Sequence, residues 1–233
     1  MSDLRPNAPV SSNIHWIKDR FVNAYIIDNG QSLSLIDTAL NKNATSIQEY
    51  VLKELENKPL ETIYLTHHHS DHIGGLHFLN EHHHPHVFSS ETDGEVITGK
   101  RAPPKPKGII LKILYPLAKP MFTAKPINSV NHLRDQQTIN DFHVYELPGH
   151  TLGSLGYLKE KTFFAGDACR INDKGEIIIG AKAFTESMSQ AEESLERLSR
   201  MQFDILFTGH GTPILQDANM RVQDAVEKLL KKK

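Results

Sequence analysis

The chain has 233 residues, enough to bury a substantial core, and its hydrophobic fraction of 39% and charged fraction of 23% describe an ordinary soluble globular protein. A formal charge of -2 gives no case for a nucleic-acid-binding surface. A single cysteine, Cys169, excludes an intrachain disulfide.

The opening residues Met1 to Asn7 carry no apolar leader core, and no apolar run reaches membrane-spanning length, so the expected compartment is the cytoplasm. The first strands are expected over Asn23-Ala24-Tyr25-Ile26-Ile27 and Leu33-Ser34-Leu35-Ile36-Asp37. Asp37, ending the second, is a candidate for orienting a ligand or a loop; a simple turn or cap role is the alternative. A helix follows from Asn43 to Asn57, with Ile47, Val51, Leu52 and Leu55 on one face.

The apolar run Thr62-Ile63-Tyr64-Leu65 then leads into Thr66-His67-His68-His69-Ser70-Asp71-His72-Ile73-Gly74-Gly75. Four imidazoles and a carboxylate crowd six positions, in the pattern H-x-H-x-D-H. On a chain leaving a strand, alternate side chains share a side, so His67 and His69 can grip one ion together. Asp71 and His72 lie further along the turn and can face a second ion. A single histidine is ordinarily solvated or hydrogen-bonded, but burying this many polar groups without an ion is costly. Neutral imidazole with carboxylate suits zinc, and also iron or manganese. A short helix is expected from Gly75 to Glu81.

His82, His83, His84 and His86 read as a solvated turn before the strand Val87-Phe88, with adventitious metal binding as the alternative. From Thr98 to Pro126 the chain holds six prolines and seven basic residues among many apolar ones. Such a segment is too apolar for a plain linker and too proline-broken for a long helix. A short helix near Gly108 to Leu114 is expected inside it. The segment is a candidate lid or pocket wall, with Tyr115 and Phe122 as candidate substrate contacts; a core-covering or dimer-contact insertion is the alternative.

Three strand ends in the second half supply further ligand candidates. His150 stands in Leu147-Pro148-Gly149-His150-Thr151, after the alternating run Phe142 to Glu146. Asp167 closes Phe163-Phe164-Ala165-Gly166-Asp167, and His210 stands in Ile205-Leu206-Phe207-Thr208-Gly209-His210-Gly211. Each adjoins glycine, which lets the backbone turn sharply. Cys169 reads as a small buried residue. Arg170 is a candidate contact for an anionic substrate group, or a member of an ordinary ion pair. Helices are expected from Glu186 to Met201, with Met188, Ala191, Leu195 and Leu198 at helical spacing, and from Asp217 to Lys232, with Met220, Ala225, Val226 and Leu229. Two strand-rich blocks, each with helices, suggest an α+β fold of two packed sheets with helices outside, an αββα sandwich.

These motifs make the chain resemble the metallo-β-lactamase-fold hydrolase superfamily, through His67, His69, Asp71, His72, His150, Asp167 and His210 in family order. The resemblance runs from the early strands through His210 and implies a four-layer αββα sandwich in one domain, residues 1–233, with the 98–126 segment inserted. It implies one ion on His67, His69 and His150, a second on Asp71, His72 and His210, and Asp167 as the bridge. Zinc is the default ion, with iron or manganese as alternatives. A dinuclear hydrolase of this kind uses a metal-bridging hydroxide, and Asp71 can carry the proton to the leaving group.

Within the family, β-lactamases generally lack a bridging carboxylate at the Asp167 position, which disfavours antibiotic hydrolysis as the main role. Glyoxalase II-type thioesterases share the ligand set but carry a C-terminal glutathione-binding helical domain. Acyl-homoserine lactonases usually show a Tyr shortly after the bridging Asp, where this chain reads Ala168-Cys169-Arg170. The expectation is a hydrolase of a small carboxylic ester, thioester or lactone, acting as monomer or homodimer without a nucleic-acid or membrane partner. The alternatives are a mononuclear-iron persulfide dioxygenase, a promiscuous β-lactamase or phosphoesterase activity, and a non-catalytic metal-binding module.

Overall fold

In the computed structural model, which describes residues 5–105 and 123–231, strand-forming apolar runs build two sheets belonging to two compact units. The expected helix near Gly108 to Leu114, and Tyr115 and Phe122, lie outside the described residues. The first unit takes residues up to 89 with 94–103 and 123–132; the second takes 90–93 and continues from 133.

The first unit holds a seven-stranded sheet in sequential order: β1 (Ala8–Pro9), β2 (Ile14–Asp19), β3 (Val22–Asp28), β4 (Leu33–Ile36), β5 (Leu60–Tyr64), β6 (His86–Ser90) and β7 (Asn131–Leu133). Strands β1 to β4 pair antiparallel, whereas β4, β5 and β6 run parallel. Parallel neighbours need crossovers, and helices supply them. Helix α1 (Thr45–Glu54) joins β4 to β5; α2 (Ser70–Ile73) and α3 (Leu76–His83) join β5 to β6, which α4 (Glu91–Ile97) follows. Every residue from Val22 to Ile27 is buried, the pattern of a strand covered on both faces. Ile17, Ala24, Ile26, Leu33 and Leu35 form one core with Ile47 and Val51 of α1 and Leu76 and Leu79 of α3. Leu52, expected on the apolar face of α1, is instead 65% exposed, because the buried stripe runs through Ile47, Tyr50 and Val51. The helix expected at Gly75 to Glu81 is α3; α2, not expected, precedes it within the histidine motif, with Gly74 and Gly75 between the two.

The second unit holds a five-stranded sheet in the order β14-β11-β10-β9-β8. Its strands are β8 (Thr138–Ile139), β9 (Phe142–Glu146), β10 (Leu155–Lys159), β11 (Thr162–Gly166) and β14 (Ile205–Thr208). Only β11 and β14 pair in parallel there; β8 to β11 form an antiparallel meander. A two-stranded ribbon, β12 (Arg170–Ile171) with β13 (Ile177–Ile178), and helices α5 (Met188–Ser199) and α6 (Ala218–Leu230) complete it. Leu147, Phe163 and Leu206 pack with Leu195 and Leu198 of α5 and Val222 and Val226 of α6. Met220, expected on the apolar face of α6, is 56% exposed; Ala218, Val222 and Val226 carry the buried stripe. Among the described residues no helix is long and apolar enough to cross a membrane.

Candidate functional site

In the first unit, the candidate ligands gather where the parallel strands β4 and β5 end. Carboxyl ends of parallel strands are where loops can build sites without interrupting the ladder. The Asp37 amide donates to Tyr64 O at 3.0 Å, which sets the residue after β4 beside the chain leaving β5. Asp37 takes φ 57°, in the left-handed region that aspartate tolerates better than most side chains. The residue is only 2% exposed, and its carboxylate is a hub. Oδ1 accepts the Thr66 amide at 2.8 Å, and Oδ2 accepts both the Thr66 hydroxyl and His72 Nδ1, each at 2.7 Å.

Donor and acceptor arithmetic then fixes two imidazoles. A carboxylate can only accept, so His72 carries its proton on Nδ1 and turns Nε2 into the lone-pair nitrogen. Thr66 has one hydroxyl proton and gives it to Asp37. Its oxygen therefore accepts from His67 Nδ1, 3.1 Å away, and Nε2 becomes the lone-pair nitrogen of His67 as well. Thr38 holds the backbone of His72, its amide and hydroxyl both donating to His72 O at 2.6 and 3.0 Å. The rings of His67 and His72 lie 4.0 Å apart, and those of His67 and His69 4.8 Å apart. Asp71, half-buried on α2, brings Oδ2 to 4.0 Å from His72 Nε2. The first motif thus presents converging nitrogens and a carboxylate, two of the imidazoles with their tautomer set.

In the second unit, β11 and β14 end side by side, with the Gly209 amide donating to Gly166 O at 2.8 Å. Asp167 and His210 follow those ends, and His210 Nε2 lies 3.2 Å from Asp167 Oδ2. His150 Nε2 approaches the same oxygen at 3.5 Å. All three side chains are buried. His150 sits on the connection from β9 to β10, pinned to the start of α5 by Glu186 N–H to His150 O at 3.0 Å and Ser187 N–H to Gly149 O at 2.9 Å. Gly149 is required there: its φ is 136°, and a Cβ would meet the Ala191 backbone nitrogen at 2.2 Å.

In each unit, imidazole nitrogens lie beside a carboxylate oxygen, the kind of donor that divalent zinc, iron or manganese takes, and these residues fit such ions. No thiolate belongs to it. Cys169 is fully buried, and burial first, with the Asp167 charge second, pushes its thiol up to about 12. His82, His83, His84 and His86 are exposed at the end of α3 and the start of β6. Arg170 is half-buried on β12, and its Nε is buried with no hydrogen-bond partner among the described residues. Thr66 went unseen in the sequence, although a hydroxyl directly before the first motif histidine was the available signal.

The metallo-beta-lactamase superfamily model matches residues 17–210. The uncharacterized protein YobT of Bacillus subtilis (strain 168) is 30% identical over 228 residues, covering 90% of this chain and 91% of that protein. A hydroxyacylglutathione hydrolase of Shewanella loihica (strain ATCC BAA-1088 / PV-4) is 27% identical over 177 residues. That match covers 76% of this chain and 52% of the hydrolase, about half its length. The crystal structure of a metallo-beta-lactamase family protein from Thermus thermophilus superposes with a TM-score of 0.70 at 22% identity, over 96% of this chain and 81% of that one. That likeness bears out the α+β, metallo-β-lactamase fold class expected from the sequence. The family match takes in every candidate ligand from His67 to His210, and the chain belongs to the metallo-β-lactamase superfamily of metallo-hydrolases.

Proposed function

We propose that the chain is a dinuclear zinc hydrolase that cleaves a small thioester, with carboxylic esters and lactones as chemically related substrates. The observation that carries this reading is Asp167 Oδ2, approached at 3.5 and 3.2 Å by Nε2 of His150 and His210. A carboxylate flanked by two imidazoles suits a residue shared by two cations. His67, His69 and His150 would hold one ion, Asp71, His72 and His210 the other, with Asp167 between them. Bound there, the ions would polarise the substrate carbonyl and bring a water toward ionisation near neutral pH.

The chain's own residues do the rest. Asp37 and Thr66 keep Nε2 of His67 and His72 available. Asp71 accepts the proton of the attacking water as oxygen adds to the carbonyl carbon. The C–S bond then breaks and the proton passes to the leaving sulfur, yielding an acid and a thiol. Arg170 offers a guanidinium to an anionic part of the substrate. The thioester preference is supported by the likeness to hydroxyacylglutathione hydrolases, the choice of zinc by the nitrogen and oxygen donor set.

The test combines elemental analysis of the purified chain with a panel of thioesters, lactones, β-lactams and phosphodiesters. The reading expects two transition-metal ions per chain and the highest kcat/KM on a thioester. Iron with oxygen uptake on glutathione persulfide, or hydrolysis confined to β-lactams or phosphodiesters, contradicts it.

A further inference from the structure

We infer that Asp93, through Thr151, is a positioning residue for the candidate ligand His150, doing in the second unit what Asp37 does through Thr66 in the first. Asp93 is 1% exposed and belongs to neither candidate ligand set. Its Oδ2 lies 2.7 Å from the hydroxyl of Thr151, the residue directly after His150. The Ser154 hydroxyl lies 2.8 Å from the Thr151 hydroxyl and 3.0 Å from the Thr151 amide.

Proton counting orders this network. The carboxylate accepts, so the one Thr151 hydroxyl proton goes to Asp93. Ser154 must then donate its own proton to Thr151 and accept the Thr151 amide. The chain of donors runs from Ser154 through Thr151 and ends on Asp93, leaving the Thr151 backbone and side chain a single arrangement. The Glu186 amide holds His150 O at 3.0 Å, and on the other side of His150 the Ser187 amide holds Gly149 O at 2.9 Å. The His150 backbone is therefore fixed at both ends.

The close fit at Gly153 shows that the loop is shaped around Asp93. A Cβ at Gly153 would stand 2.4 Å from Asp93 Oδ1 and 2.4 Å from Ser90 Oγ, so only glycine lets the loop close onto the carboxylate. Ser90 Oγ in turn accepts the Asp93 amide at 3.2 Å, seating the carboxylate at the start of α4. The two units repeat one device: a buried aspartate accepts the hydroxyl of a threonine adjacent to a candidate ligand histidine. They differ in reach, since Asp37 also binds an imidazole directly whereas Asp93 acts on the backbone after His150.

This role rests on the metal-site reading, and the experiment separates the two. Zinc is titrated out of the full-length chain with a competing chelator, for the wild type and for Thr151→Val, Thr151→Ser, Asp93→Ala and Val226→Ala. Thr151→Val keeps the volume and removes the hydroxyl; Thr151→Ser keeps the hydroxyl; Val226→Ala loosens the core of the same unit without touching the network. The expected result is zinc dissociation about ten- to hundredfold easier in Thr151→Val and Asp93→Ala, with Thr151→Ser and Val226→Ala close to the wild type. Zinc held equally by Thr151→Val and the wild type, or weakened as much by Val226→Ala, overturns the role of Asp93 alone. A wild-type chain that takes up no zinc overturns the metallo-hydrolase reading and this role with it.

Discussion

Asp37 Oδ2 accepts the Nδ1 proton of His72 at 2.7 Å, and the same oxygen takes the hydroxyl proton of Thr66, whose oxygen faces His67 Nδ1 at 3.1 Å. One buried carboxylate thereby sets the tautomer of two candidate ligands, one directly and one through a threonine. Outer hydrogen bonds of this kind typically contribute ten- to hundredfold to metal affinity. Asp37→Asn presents an amide N–H where an acceptor is needed and should weaken metal binding by about that factor. Asp37→Ala should lower thermal stability as well, because it strips partners from buried donors. Chelator competition beside a melting curve checks both; wild-type metal affinity in Asp37→Asn would contradict the assignment.

Asp71, half-buried unlike His67 and His72, is the proposed proton acceptor. Asp71→Asn keeps the size and removes the proton acceptor. The expected outcome is a loss of about 100-fold or more in kcat on the best thioester, in the range that a general base supplies. Steady-state kinetics at matched metal content read it.

The proposed anion contact at Arg170 is open to a kinetic test. If it holds an anionic group equally in ground and transition states, Arg170→Ala should raise KM for substrates bearing a carboxylate and leave kcat near the wild type. A neutral ester of the same substrate should be hydrolysed alike by both proteins. Equal KM values for the charged substrate would remove Arg170 from the binding surface.

Acid sensitivity should pass in part through Asp135, which ties β9 to α5. Burial alone would raise its carboxyl, but hydrogen bonds from Arg197 and the Glu146 amide, with the guanidinium charge, outweigh it and hold the group below the usual carboxylate range. Arg197 Nη2 is 2.9 Å from the carboxylate, and Arg197 Nη1 donates to Glu146 O at 2.8 Å. A depressed folded value means the stabilisation is fully present above the ordinary aspartate pKa of about 3.9 and is lost as pH falls through the folded value. Urea midpoints followed downward from neutral pH should decline less steeply in Asp135→Asn than in the wild type.

Strands whose apolar runs end in glycine and a ligand were legible in the sequence. Phe142–Glu146 was placed residue for residue, and the runs ending at Asp167 and His210 fell on β11 and β14. Local pattern carries that information, because a strand end and its turn residue are neighbours in the chain. Helix faces were less secure: Leu52 and Met220 fit a periodic template, yet Leu52 lies one position past buried Val51, and Met220 lies two positions from both Ala218 and Val222, opposite the buried stripe. Helix α2 was hidden because its four residues, Ser70–Ile73, lie inside the histidine motif, too short for an apolar period to show. The positioning network was least legible. Asp93 meets Thr151 across 58 positions, and no local pattern announces a pairing over that distance. Asp37 was within reach only because it closes a strand.

The central claim, a two-ion centre on seven side chains with Asp167 shared, is tested most directly by metal stoichiometry in the wild type and in Asp167→Ala. Elemental analysis of the zinc-loaded, full-length proteins after gel filtration should give two ions per wild-type chain, and fewer with thioester hydrolysis lost in Asp167→Ala. One ion or none in the wild type, or an Asp167→Ala chain that keeps two ions and full hydrolysis, would contradict it.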